Sequence, residues 1–324
     1  MSDIVSIGEL LVDFTYVSGE NGDTFYKQNA GGAPANVMCM AAKLGAKTGF
    51  IGKIGRDMFG FYLKEVLTRH KVDTSGLILD PNYSTTLAFV RNSADGDRDF
   101  VFYRSSQTSA DLNLRYGEVN RQLIDSCRIF HFGSLSLTDE PSRTATVNAV
   151  EYAKMQEKIV TYDPNWRPHL WENKESAIRT MRSAAQYADI VKVSELELQL
   201  LSDSGALIPG VAKLLQMGVK IICVTQGAKG CIIATPKGIN RFSAYKTKTV
   251  DTLGSGDGFF GAFLYKFLET GKSIEELDSD DIKEMAMFSN ACGALCASKQ
   301  GAIPAMPDMS DIETLMKSQP VKEE

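Results

Sequence analysis

The stretch Val250–Phe267, VDTLGSGDGFFGAFLYKF, decides how the rest of the chain is read. It carries three alternating glycines, two aspartates and then an apolar run. Gly256-Asp257-Gly258-Phe259-Phe260-Gly261 satisfies the glycine spacing of a dinucleotide-binding loop. Such a loop must follow the first strand of a βαβ unit, with an acidic residue closing the next strand about 20 residues on. Here little chain remains and the next pattern is helical, and a carboxylate would sit inside the phosphate loop. Another reading uses every residue. Gly254, Ser255 and Gly256 let successive N–H groups converge at a helix start, which carries roughly half a positive charge and free donors. Asp257 beside them is placed to take a proton from an attacking hydroxyl. A base, an anion hole and an acceptor hydroxyl together describe phosphoryl transfer. The competing reading is a glycine-rich turn with Asp257 as N-cap. Phe259, Phe260, Phe263, Leu264 and Phe267 are expected to anchor the helix in the core.

Outward from this stretch, short apolar runs alternate with helical patterns, which predicts a mostly parallel sheet covered by helices. Strands are expected at 3–7, 48–54, 129–132, 159–163, 190–193 and 221–225, and helices at 35–44, 59–70, 143–155, 211–217, 258–269 and 282–298. Two stretches break the rhythm. Residues 22–28 are short and polar-aromatic, and residues 85–104 alternate (Leu87, Phe89, then Phe100, Phe102) around the turn signal at 94–97, a β-hairpin pattern. We expect a small β lid from about 14–30 and 85–105, inserted in one α/β domain spanning 1–320, with 321–324 a disordered tail.

Composition excludes several function classes. The 324 residues are 44% hydrophobic and 23% charged, as in ordinary soluble domains, and the net charge of −5 offers no basic field for nucleic acid or an anionic membrane. The N-terminus lacks a basic segment followed by a long apolar one, and no run of about 18 apolar residues is present, so neither a signal peptide nor a membrane span is expected. The six cysteines include no C-x-x-C pair, and Cys292 and Cys296 read as small buried residues in a reducing, cytoplasmic setting. Three histidines are too few and scattered for a metal cluster, and His131 falls in a strand pattern as a core residue. Walker, H-E-x-x-H and G-x-S-x-G signatures are absent.

Three further motifs carry chemistry. In Ala30-Gly31-Gly32-Ala33-Pro34-Ala35-Asn36 the glycines admit a ligand close to the backbone, and Asn36 offers both donor and acceptor to a polyol. Asp13, closing GELLVDF after the first strand, is expected on the ligand side of an open sheet, where a carboxylate suits paired sugar hydroxyls. Tyr162-Asp163-Pro164-Asn165-Trp166-Arg167-Pro168 places polar residues at another strand's carboxyl end. Val224 to Gly230 follows an apolar strand, with Thr225 and backbone N–H groups available to nucleotide phosphate or ribose.

Together these motifs resemble the ribokinase-like (PfkB) carbohydrate kinases, over nearly the whole chain, and within that family the fructokinase branch. Residues 30–36 look like its N-terminal glycine motif and Asp251–Asp257 like its D-T-x-G-[AS]-G-D signature, with GGAPANV, FYR, SADLNL, YDPNWRPHLW and ADIVKVSELE as supporting segments. The resemblance implies a three-layer α/β/α core, a β lid that forms a homodimer contact, ATP as donor, Mg²⁺, and K⁺ as an activator, with the 6-hydroxyl of fructose as acceptor. It implies Asp257 as the base and Gly254, Ser255 and Gly256 as the anion hole. Asp13, Gly31, Gly32, Asn36, Phe102, Arg104, Asn165 and Arg167 are then expected at the sugar. Lys192, Ser194, Glu197, Thr225, Gly227, Gly230, Asn290 and Gly293 are expected at the nucleotide, with Glu197 meeting Mg²⁺ through water and Asp251 near K⁺. Three positions depart from the family pattern. Ser194 replaces the Asn of the N-x-x-E motif, Leu253 replaces the commoner Thr at a site that gives a backbone carbonyl to the monovalent cation, and Ala305 stands where some relatives use a Ser beside that cation. A 2-keto-3-deoxygluconate kinase, a nucleoside or aminoimidazole-riboside kinase and a non-catalytic sugar-binding regulator are the alternatives.

Overall fold

A computed structural model describes residues 2–18, 21, 23–92 and 98–319. The expected turn at 94–97, Gly22 at the head of the polar-aromatic stretch and the tail 321–324 lie outside them.

The chain runs β1 (Ile4–Ile7), β2 (Leu11–Ser18), β3 (Thr24–Gly31), α1 (Ala33–Leu44), β4 (Thr48–Gly55), α2 (Met58–Arg69), β5 (Asp73–Asp80), β6 (Leu87–Asn92), β7 (Arg98–Tyr103), α3 (Arg121–Ser126), β8 (Ile129–Gly133), α4 (Ser142–Met155), β9 (Ile159–Asp163), α5 (Lys174–Ala185), β10 (Ile190–Ser194), α6 (Glu195–Ser202), α7 (Leu207–Gln216), β11 (Ile221–Thr225), β12 (Cys231–Thr235), β13 (Gly238–Phe242), α8 (Ser255–Glu269), α9 (Ser279–Ala297) and α10 (Met309–Ser318). Nine of these strands form one sheet in the order β13-β12-β11-β10-β9-β8-β1-β4-β5, parallel throughout except for β12 and β13.

Strand alternation splits the core in two. On β11, Ile221 and Cys223 face one apolar cluster while Ile222 and Val224 face the other. The first cluster is closed by α1, α2, α8 and α9, the second by α4, α5, α6 and α7. Both faces are therefore covered, as a parallel sheet requires, and the expected three-layer architecture is present. Phe259, Phe260, Phe263, Leu264 and Phe267 are all buried on α8, as expected. His131 sits in β8 with its ring edge on Phe260, and burial pushes it down to about 3, which leaves it neutral. All six cysteines are free and buried. No helix among the described residues is long and apolar enough to cross a membrane.

The second sheet has the order β3-β2-β6-β7 and is the expected small β element. It is larger than its alternating residues predict, because β2 begins at Leu11. Asp13 therefore lies within β2, not in a loop after β1. Register fixes what its two faces carry. Asp13 pairs with Ala88, and Ala88 with Phe102, so Asp13 and Phe102 share one face. The other face holds a ladder of rings: Phe14 stacked on Phe89 at 5.1 Å, Tyr26 and Tyr103 edge-on to Phe89 at 5.3 and 5.6 Å. The aromatics of these two stretches are thus divided between the faces: Tyr26, Phe89 and Tyr103 lie on the ring face, while Phe25 and Phe102 hold register positions on the face of Asp13.

Candidate active site

The chain leaves β1 for β4 on one side and returns to β8 on the other, so the sheet order reverses beside β1. Ligands of open α/β sheets bind outside the strand ends at such a point. A small solvent-open cleft of about 140 Å³ lies there. Its lining draws together residues far apart in sequence: Glu9, Asp13, Gly32, Asn36, Phe102, Asn165, Arg167, Lys192, Gly254, Gly256 and Asp257 among them.

Asp257 is the third residue of α8. The N-cap is Gly254, in the left-handed region at φ 72°, so the N-cap reading of Asp257 is overturned. A side chain on Gly254 would also stand 2.6 Å from the Ala302 Cβ. The Gly256 and Asp257 N–H groups have no hydrogen bond among the described residues, as expected for the first turn of a helix. Ser255 differs from the expectation. Its N–H and hydroxyl both donate to the Thr252 carbonyl, at 3.2 and 2.9 Å, because the turn that starts the helix consumes them.

The Asp257 carboxylate is buried, and Asn36 donates to it from Nδ2 at 2.8 Å across 221 residues of sequence. Burial raises this carboxyl above the usual aspartate range, with Asp163 adding to the effect and Lys192, Asn36 and Arg167 opposing it. A raised carboxyl is the better proton acceptor.

Beside it stands an ion pair that the sequence does not announce. Lys192 Nζ donates to Asp163 Oδ2 at 2.8 Å, both side chains buried. Burial works against the ammonium, but Asp163, Glu197 and Asp257 prevail and lift Lys192 above the ordinary lysine range. Asp163 Oδ1 also accepts from the Asn165 N–H at 3.1 Å, which holds Asn165 in the left-handed region at φ 44° and turns it to the cleft.

The glycine motif works by proximity. A Cβ on Gly31 would overlap the Asp13 carboxylate, and one on Gly32 (φ 109°) the Glu9 carbonyl. Gly31 thus makes room for Asp13 without itself lining the cleft. Arg104 is also off the lining. Its guanidinium donates to Asp111 Oδ2 at 2.7 Å, to the Thr138 hydroxyl at 3.0 Å and to the Leu135 carbonyl at 2.9 Å. The residue expected at the sugar instead braces the loop that carries Leu135.

The residues expected at the nucleotide form a second group, at the ends of β10 and β11 beyond Lys192. Ser194 and Thr225 are register partners. Ser194 caps α6, and Glu197 accepts from the Ser194 N–H and hydroxyl and from the Trp166 N–H at 2.8 Å. The Thr225 hydroxyl donates to Val193, and Gly227 and Gly230 close the tight loop that follows. Asn290 spends its amide on the Phe242 and Ser243 carbonyls, at 3.1 and 3.2 Å. Gly293 lets α9 approach the start of α8: a Cβ there would stand 3.3 Å from the Ser255 carbonyl oxygen. Asn290 thus ties α9 to the chain leaving β13, and Gly293 admits the start of α8. Asp251 accepts from Leu253 and Gly301 N–H groups at 3.0 and 2.9 Å, tying two loops together.

Two residues at the site escaped sequence reasoning: Glu9, which lines the cleft, and Asp163, which lies behind the lining on Lys192. Asp163 stands inside the Tyr162–Pro168 motif, but its partner Lys192 is on another strand. Glu9 Oε1 accepts from the Ala33 N–H at 3.0 Å, while Oε2 is buried with no partner among the described residues. Burial pushes this carboxyl up to about 7, with Arg104 nearby lowering it and Asp111 raising it. No local signal separates Glu9 from any other glutamate.

A buried carboxylate beside free backbone donors at the start of α8, over the reversal point of a parallel sheet, is the arrangement of a small-molecule phosphotransferase. The chain belongs to the pfkB family of carbohydrate kinases, whose pattern matches residues 1–309. It is 43% identical over 321 residues to probable fructokinase-5 of Arabidopsis thaliana, covering 97% of each chain. Among solved structures it is similar to the fructokinase of Xylella fastidiosa with bound ATP (TM-score 0.90, 31% identity, 99% of this chain and 100% of that one). It is also similar to a double mutant of the Vibrio cholerae O395 fructokinase with fructose, ADP and potassium ion bound (TM-score 0.86, 31% identity, 97% and 98%).

Proposed function

We propose that this kinase transfers the γ-phosphoryl group of ATP to the 6-hydroxyl of D-fructose. The observation that carries the reading is the Asp257 carboxylate in the cleft, held by Asn36 beside the free N–H groups of Gly256 and Asp257. In the transfer, Asp257 accepts the hydroxyl proton, the sugar oxygen forms the new bond to phosphorus, and the old bonding pair leaves on ADP. The donors at the start of α8 meet the charge on the phosphoryl oxygens. Asp13, Gly32, Asn36, Phe102, Asn165 and Arg167 surround the sugar.

Fructose is favoured over a sugar acid by the likeness to fructokinases. Of the two arginines that a carboxylate substrate could use, Arg104 is already bonded to Asp111, while Arg167 lines the cleft.

Among the described residues no three His, Cys, Asp or Glu side chains are grouped to hold a metal unaided. That suits Mg²⁺, which keeps its waters and takes phosphates plus one or two carboxylates. Glu197, its oxygens fixed by Trp166 and Ser194, is positioned to hold such a water. Mg²⁺ bound with the nucleotide supplies charge neutralisation on the phosphates. The exposed side chains of Tyr26 (48%), Val101 (56%) and Tyr103 (65%) on the ring-bearing face of the small sheet support a homodimer formed through it.

A coupled ADP-release assay across fructose, ribose, 2-keto-3-deoxygluconate, tagatose and adenosine, with and without K⁺, tests the reading. Fructose is expected to give the highest kcat/KM. Asp257→Ala should lower kcat by about 10²–10⁴-fold while fructose still binds. Near-normal turnover in that variant would sink the assignment.

A further inference from the structure

Lys192 lines the cleft and Asp163 lies buried behind it, and neither carries the proton. A lone ammonium at this burial would lose its charge. Asp163, 1% exposed, keeps it, and with its other oxygen fixed by the Asn165 N–H it also sets where the ammonium lies. Geometry shows that place. A Cβ on Gly256 would stand 3.0 Å from Lys192 Nζ, so the ammonium rests against the first turn of α8, beside the free Gly256 and Asp257 N–H groups.

We propose that Asp163 is a positioning residue of the phosphoryl transfer: it holds the Lys192 ammonium at the N-terminus of α8, where one fixed charge serves both the Asp257 base and the transferred phosphoryl group. The inference rests on the kinase reading given above. It explains why a carboxylate is tolerated next to a phosphate site. Lys192 interacts with both Asp163 and Asp257, so the two carboxylates do not stand as uncompensated neighbouring anions.

The charges that face these groups are few. Asp257 meets Lys192, Asp163, the Asn36 amide and Arg167. Lys192 meets Asp163, Glu197 and Asp257. Glu9 and Asp13 line the same cleft from the β1–β2 side. Asp163 raises the Asp257 carboxyl and Lys192 lowers it. Removing Lys192 therefore raises the base, whereas removing Asp163 also releases the ammonium, and the two effects oppose.

The test compares kcat and the pH dependence of kcat/KM for the best sugar in wild type, Lys192→Met, Asp163→Asn and Asp163→Asn/Lys192→Met. The acid limb rises as Asp257 ionises. Lys192→Met removes the cation, so its limb should move up by about one pH unit, the usual effect of one nearby charge, and kcat should fall about 10²-fold, as for one transition-state donor. Asp163→Asn keeps the lysine but not the partner that holds it, so kcat should fall towards that of Lys192→Met, and the double variant should lose no more than Lys192→Met alone. A folded Asp163→Asn with wild-type kcat, or losses that multiply in the double variant, would overturn the proposal. If no sugar is phosphorylated by wild type, the kinase reading fails by itself. The ¹³Cγ titration of Asp257, assigned with Asp257→Asn, then still reads the upward shift in Lys192→Met.

Discussion

Arg104→Met separates two roles for one arginine. The FYR segment suggests a sugar contact, whereas the structure shows a brace. The guanidinium makes three hydrogen bonds, and both it and the Asp111 carboxylate are 1% exposed. Removing it leaves Asp111 buried with the Thr86 hydroxyl at 2.5 Å on one oxygen. Breaking one side of such a pair costs about 3–5 kcal/mol, a large part of the about 5–15 kcal/mol that holds a domain together. At about 2 °C per kcal/mol for a large domain, the ligand-free protein should melt about 6–10 °C lower. Arg104→Met/Asp111→Leu should regain at least half of that, since an apolar pair needs no partner. Leu135, whose carbonyl the arginine holds, lines the cleft, so the fructose KM should rise by less than about tenfold. Thermal unfolding without ligand and steady-state kinetics give the two readouts. A wild-type melting temperature together with a hundredfold rise in KM would refute the brace and restore the sugar contact.

Two other outcomes follow from the same coordinates. The Glu9 carboxyl is raised from 4.5 to about 7, so the folded state holds its proton more tightly than the unfolded chain. That stabilisation is full below about pH 4.5 and is lost as pH rises through about 7, a difference of about 3 kcal/mol. Glu9→Gln should therefore match wild type in denaturant unfolding near pH 4.5 and exceed it at pH 8, and a difference independent of pH would count against the shift. Tyr26→Lys/Tyr103→Lys, on the exposed ring face, should convert a dimer to monomer in sedimentation at micromolar concentration with the circular dichroism unchanged. A dimer that persists in this variant would place the contact elsewhere.

The sequence by itself determined the elements and the chemistry that sits on consecutive residues. Apolar runs of strand length between amphipathic stretches produced the α/β/α layers, because burial on both faces forces that pattern. Gly254 to Asp257 could be read as base and anion hole because a helix start joins donors and carboxylate within one turn. Sequence could also place Asn165 at a strand end and Asn36 one turn into a helix. Only the tertiary structure decided which of these groups share a cleft and what each one touches. It brought Asn36 to Asp257 across 221 residues, put Asp163 on Lys192 and gave Arg104 to Asp111. It also lengthened the small sheet to Leu11, whose strand pairs with β3 and β6 and not with its sequence neighbour β1. The physical reason is the range of the forces. Periodicity and capping act within a turn or a strand and are written locally. The partners of a buried charge are set by which strand ends the chain crossings bring together, and no spacing in the sequence records them.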